Sequence, residues 1–141
     1  MFSKSCKYAI RAVLYLAVNA NGEKKLGAKE IAEELDIPKP FLAKILQQLS
    51  RQDLISSSKG MGGGFYLNKE NHEITLREVI ECIDGKDVFS SCILGLPVCS
   101  SENPCPLHAK SRIYREGLIK LIDNQSIDKF AKKIIAKDLS I

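Results

Sequence analysis

Apolar residues recur at helical spacing from the start of the chain. Ala9, Ala12, Val13, Leu16 and Ala17 mark one face of a helix over residues 3–19, which Asn21-Gly22 closes. A second, shorter stripe (Ile31, Ala32, Leu35) predicts a helix over 28–35. Ile37-Pro38 breaks the chain, and Pro38 or Pro40 opens a third helix to about Arg51, with Phe41, Leu42, Ile45, Leu46 and Leu49 as its core stripe. The period then changes. Residues 54–58 and 64–67 read as short strands around Lys59-Gly-Met-Gly-Gly63, a hairpin directly after a pair of helices. Thr75-Leu-Arg-Glu78 is a capping box that opens a fourth helix to about Ile83. A long helix follows over 106–123, carrying Ile113, Leu118, Leu121 and Ile122, and a last amphipathic helix over 126–136. Gly117, inside the long helix, points to close backbone packing there.

These elements predict a mainly α fold with a small β-hairpin wing: a winged helix-turn-helix followed by a long C-terminal dimerisation helix. The division expected is 1–83 for the DNA-binding domain, 84–105 for a loop, and 106–141 for the dimerisation and C-terminal helices. A chain of 141 residues has little else to cover the apolar stripe of the long helix, so a second copy of the chain is the expected partner.

The stretch from Gly85 to Cys105 lacks either period. It carries three of the five cysteines, in the pattern Cys92-x6-Cys99-x5-Cys105-Pro-Leu-His108. Long structureless loops in compact domains are uncommon. Thiolates and imidazole are the ligands that hold zinc, copper and iron–sulfur clusters. A metal that orders the loop therefore explains it better than thiols that only fill space. Pro106 would open the long helix, with Cys105 as its N-cap and His108 in the first turn, where the helix dipole favours a thiolate. Cys82, on an apolar helix flank, reads as a core thiol; Cys6 has no assigned role; His72 sits in a polar turn and reads as solvated.

Charge and composition narrow the setting. Residues 1–67 hold ten Lys/Arg and six Asp/Glu, a net of +4, whereas residues 68–141 hold eleven of each and net to zero. The excess positive charge lies with the helix-turn-helix, where a polyanion would bind. The longest apolar run, Ala12–Val18, is too short to span a bilayer, and no export signal is visible, so no membrane partner is expected. Five cysteines make an odd set, which fits a reducing cytoplasmic setting better than a disulfide scaffold. A redox enzyme is disfavoured, because there is no Cys-x-x-Cys and no second histidine near the cluster.

Three segments together resemble the Rrf-two family of bacterial winged-helix transcriptional regulators. They are Ser3-Lys-Ser-Cys-Lys-Tyr-Ala9, Lys59-Gly-Met-Gly-Gly-Gly-Phe-Tyr-Leu67, and the set Cys92, Cys99, Cys105 and His108. The resemblance covers nearly the whole chain. It implies a homodimer that binds double-stranded DNA and changes that binding with the state of an iron–sulfur cluster. The histidine three residues after the last cysteine is similar to the iron–sulfur cluster regulator branch, which implies a 2Fe–2S cluster on Cys92, Cys99, Cys105 and His108. Nitric-oxide-sensing relatives carry an acidic residue where this chain has Lys7. The DNA contacts expected are Ser3, Lys4 and Tyr8 at the first helix, Lys39, Pro40, Lys44 and Gln47 on the third, and Lys59 with Gly60 in the wing. A structural zinc on the same four ligands is the alternative.

Overall fold

The computed structural model describes residues 1–141. Six helices and one hairpin follow in the expected order: α1 Lys4–Asn19, α2 Ala28–Leu35, α3 Lys39–Arg51, β1 Ser56–Ser58, β2 Gly64–Tyr66, α4 Leu76–Asp84, α5 His108–Asp123 and α6 Ile127–Lys137. Single turns of 3-10 helix stand at Asn71–Glu73 and Lys86–Phe89. No helix is long and apolar enough to cross a membrane.

Local chemistry explains the boundaries. Ser3 caps α1 by accepting the Cys6 N–H at 3.0 Å. Asp36 ends α2 in the left-handed conformation (φ 53°), its own N–H turned back onto the helix. The capping box of α4 is complete: Thr75 Oγ1 accepts the Glu78 N–H at 3.2 Å, and the Glu78 carboxylate accepts the Thr75 N–H at 2.7 Å. Ser126 caps α6.

The main core lies between α1, α2, α3, the hairpin base and α4. Val13, Leu16, Ile31, Leu42, Leu46, Leu49 and Val79 are buried there, with Ile127 of α6. A smaller cluster of Cys6, Ile80, Phe89 and Ile122 joins α1 and α4 to the root of the loop and to the end of α5.

β1 and β2 pair antiparallel with Ser57 opposite Phe65. Leu26, between α1 and α2, adds a one-residue bridge to Phe65. Gly64 is needed at that bridge: its φ is +141°, and a Cβ would stand 2.8 Å from the Leu26 carbonyl. Part of the glycine run is therefore explained by hairpin packing alone.

Several expectations are corrected. Phe41 is 54% exposed rather than core, because it sits at the edge of the stripe formed by Leu42, Ile45, Leu46 and Leu49. Pro106 does not open α5; Pro106 and Leu107 form a turn in which the Cys105 carbonyl accepts the His108 N–H at 3.0 Å. Cys105 is thus not an N-cap, and the helix starts at His108. Gly117 meets no atom within 4 Å of its notional Cβ, so the close packing expected there is not made within the single chain, which leaves a contact with a second copy open. His72 is not simply solvated, because its Nδ1 lies 3.8 Å from Asp128 of α6 and is shielded from water.

Asn71 is the polar residue that closes the base of the wing. Its side chain accepts from Ser56 Oγ at 2.7 Å and the Asn68 N–H at 3.0 Å, and donates to the Asp53 carbonyl at 2.9 Å. It is only 4% exposed. Asn71→Ala would strand those partners, so we expect a loss of about 2–3 kcal/mol in urea unfolding.

Candidate metal centre and nucleic-acid interface

Cys92, Cys99 and Cys105 come together although they lie on a loop with almost no core contacts. Their sulfurs all lie within 4.8 Å of one another. Cys92 Sγ is 3.7 Å from Cys105 Sγ, and Cys99 Sγ is 3.2 Å from His108 Nδ1. All four residues are half-buried. The turn Cys105–His108 places the imidazole at the first residue of α5, and the Gly95 N–H to Cys92 carbonyl bond (2.9 Å) folds the first half of the loop back.

The loop also sets the charge preferences of its sulfurs. A backbone N–H at Leu96, helped by one at Leu94, lowers the Cys92 thiol to about 7 against the cost of burial. Cys99 behaves oppositely. The Cys105 N–H favours its thiolate, but burial and the neighbouring sulfurs outweigh that and push it up. Three sulfurs this close cannot all ionise without a cation between them. The donor set therefore fits a metal centre of the thiolate–imidazole kind.

The other cysteines stand apart in character. Cys6 is fully buried, and burial with Asp84 nearby pushes its thiol up to about 12. Cys82 is half-buried against the core, its Sγ 3.8 Å from the Gln48 carbonyl. Neither belongs to the cluster of donors.

The expected DNA-facing residues form three surface groups. On α3, Pro40, Lys44 and Gln47 are exposed at i, i+4 and i+7, directly opposite the buried Leu42, Ile45, Leu46 and Leu49. Arg51 extends this stripe by one more turn and is also exposed, a position the sequence reading passed over. Lys39 is exposed in the first turn. At α1, Lys4 is exposed with its ammonium 5.7 Å from the Tyr8 ring centroid. Ser3 is engaged in the fold: its N–H meets Asp84 at 2.9 Å and its hydroxyl meets the same carboxylate. In the wing, Lys59 and Gly60 are exposed at the tip, Gly60 with φ +86°.

The last turn of α4 ties two of these groups together. Ser3 at the head of α1 bonds Asp84, and Gln48 of α3 donates to the Cys82 carbonyl at 2.9 Å. Sequence spacing gave no sign of this tie. Nor did it reveal Arg77, which reaches Glu81 at 2.7 Å and Asp123 of α5 at 2.9 Å while lying over the Phe89 ring. Arg77 thus fixes the end of α5 and the root of the loop to α4.

A helix pair with a hairpin wing, a second helix with an exposed basic face and a separate cysteine–histidine loop define the class of winged-helix regulators of transcription. The chain belongs to the Rrf2 family, described as an iron-dependent transcriptional regulator, which matches residues 2–133. Proteins of this family are DNA-binding regulators and not enzymes. A putative HTH-type transcriptional regulator of Aquifex aeolicus is 38% identical over 112 residues, covering 78% of this chain and 76% of its own. The HTH-type transcriptional regulator IscR of Escherichia coli is 27% identical over 134 residues, covering 95% and 82%. The solved structure of T. potens IscR shares the fold with a TM-score of 0.76 at 20% identity, covering 100% of this chain and 93% of its own.

Proposed function

We propose that this protein is a homodimeric regulator holding a 2Fe–2S cluster on Cys92, Cys99, Cys105 and His108, and that its DNA binding follows the state of that cluster. One observation carries the reading. The four donors converge as two close pairs, Cys92 with Cys105 at 3.7 Å and Cys99 with His108 at 3.2 Å. A two-iron cluster asks its protein for four ligands, and this one loop with the head of α5 supplies that number, three of them sulfurs within 4.8 Å of one another. When bound, the cluster supplies one-electron redox chemistry and sensitivity to oxidants. The protein's part is to hold the thiolates together and to present one neutral imidazole among them.

Dimerisation is supported by α5, whose 16 residues bury only Ser111 and Ile122 within the chain. Ile113, Gly117 and Leu121 align at i, i+4 and i+8, with Ile113 at 72% and Leu121 at 70% exposure. A second copy of α5 covers that stripe, and Gly117, open within the chain, lets the two backbones approach.

For DNA, Lys39, Pro40, Lys44 and Gln47 are assigned to the major groove or its walls. Lys4 and Tyr8 are assigned to the DNA backbone, with Ser3 holding the head of α1 through Asp84 rather than meeting a phosphate itself, and Lys59 with Gly60 to the wing contact. A dimer with roughly 6–10 phosphate contacts loses about 10³–10⁵ in affinity between 50 and 200 mM salt. Lys44→Ala and Lys59→Ala are each expected to weaken promoter binding and to flatten the salt slope by about 1. An unchanged slope in Lys59→Ala, measured by fluorescence anisotropy, removes the wing from the interface.

Anaerobic purification with iron and sulfide analysis and a visible spectrum tests the cluster. Two of each per chain and a coloured protein are expected. The structural-zinc reading has its own support, since 3.7 Å is close to the S···S edge of about 3.8 Å implied by tetrahedral Zn–S bonds of about 2.3 Å. A colourless protein with one zinc per chain would decide for it.

A further inference from the structure

Without metal, the cysteine cluster is also poised for a chemistry of its own. Cys92 Sγ and Cys105 Sγ are 3.7 Å apart, so a bond of about 2.05 Å needs an approach of about 1.7 Å. The loop between them can supply it. Ile93, Leu94, Leu96 and Val98 are all exposed, so no packed core holds the backbone in place. Cys99 Sγ lies within 4.8 Å of both and faces His108 Nδ1 at 3.2 Å, but the Cys92–Cys105 approach of 3.7 Å is the sulfur–sulfur contact that is already made. Cys6 is sealed in the interior and Cys82 lies against α3.

We infer that in the metal-free protein Cys92 and Cys105 form a reversible disulfide when exposed to a hydroperoxide, and that this bond locks the site against reloading. The step balances as a two-electron oxidation. One of the two sulfurs attacks the peroxide O–O bond and becomes a sulfenic acid, releasing an alcohol, or water from hydrogen peroxide. The other thiol displaces water from that sulfur, and the S–S bond forms. A dithiol reverses it, leaving as its own cyclic disulfide. The bond itself rests on the sulfur geometry alone; its effect on loading rests on the ligand assignment proposed above.

The test uses the full-length chain stripped of metal anaerobically and then treated with hydrogen peroxide. Of five cysteines, three should remain free after denaturation. Trypsin cannot locate the bond, because no Lys or Arg lies between Lys86 and Lys110. Cleavage at Glu102 separates Cys99 from Cys105, and chymotryptic cleavage after Leu94 separates Cys92 from Cys99; the Leu96–Pro97 bond is not cut. The expected product joins the Cys92 fragment to the Cys105 fragment. Cys99→Ser should form the same link, and iron uptake by the oxidised wild type should fail until a dithiol is added. A link that includes Cys99, five surviving thiols, or a stable sulfenic or sulfinic acid in place of the bond would overturn the inference. Iron and sulfide counts on untreated protein test the cluster separately, so failure of one is not mistaken for failure of the other.

Discussion

Cys99→Ala protein is expected to emerge from anaerobic purification without iron, sulfide or visible absorption, while its helical circular dichroism stays at the wild-type level. Both halves of that outcome follow from where Cys99 stands. Its sulfur is one of three lying within 4.8 Å of one another and faces His108, so its loss would leave the proposed cluster one ligand short. Its backbone lies in a loop whose neighbours Pro97, Val98, Ser100 and Ser101 are exposed, so the core has nothing to lose. A change in unfolding free energy of at most about 0.5–1 kcal/mol is expected in the metal-free state. Cys92→Ala and Cys105→Ala should behave alike. His108→Ala should weaken retention less, and His108→Cys should keep a cluster at lower potential, since a thiolate replaces a neutral donor. Full iron and sulfide occupancy in Cys99→Ala would contradict the ligand set.

Leu121→Asp is expected to turn the dimer into a folded monomer and to lower promoter affinity by about 10²–10⁴, the advantage that two linked half-site contacts hold over one. Leu121 is 70% exposed in the isolated chain, so the carboxylate is easily solvated there. It is intolerable only where a second α5 covers it. Sedimentation equilibrium separates the two states directly. A dimer of undiminished stability in Leu121→Asp would move the interface elsewhere.

Much of this molecule was legible in the chain because its signals are local. The stripes Val13–Leu16, Ile31–Leu35 and Leu42–Leu49 repeat at helical spacing, and the Thr75–Glu78 pair is a cap that needs only four consecutive residues. That the three cysteines and His108 would lie near one another was legible for a similar reason, since they fall within seventeen consecutive positions, 92–108. Errors arose where neighbours in space decide the outcome. Phe41 has the right residue type for a core but lies at the flank of its helix, and Pro106 has the right type for a first turn but is held in a tighter one. Interactions across large separations left no trace in spacing. Arg77 with Asp123, Asn71 with Asp53, and Ser3 with Asp84 are partners 46, 18 and 81 positions apart.

The tie at the end of α4 bears on what kind of message the loop can send. Asp84 holds the head of α1, the Cys82 carbonyl holds Gln48 of α3, and the cysteine-bearing segment begins just beyond Gly85. Those bonds tie both helices to the same last turn of α4, like the crossbar of a frame. A disturbance at the loop root would therefore reach the two helices together. Each protomer would keep its grip on its own stretch of bases, and what would vary is the distance and angle between one grip and the other. The operators that answer to the loop would then be told apart by their spacing rather than by their letters.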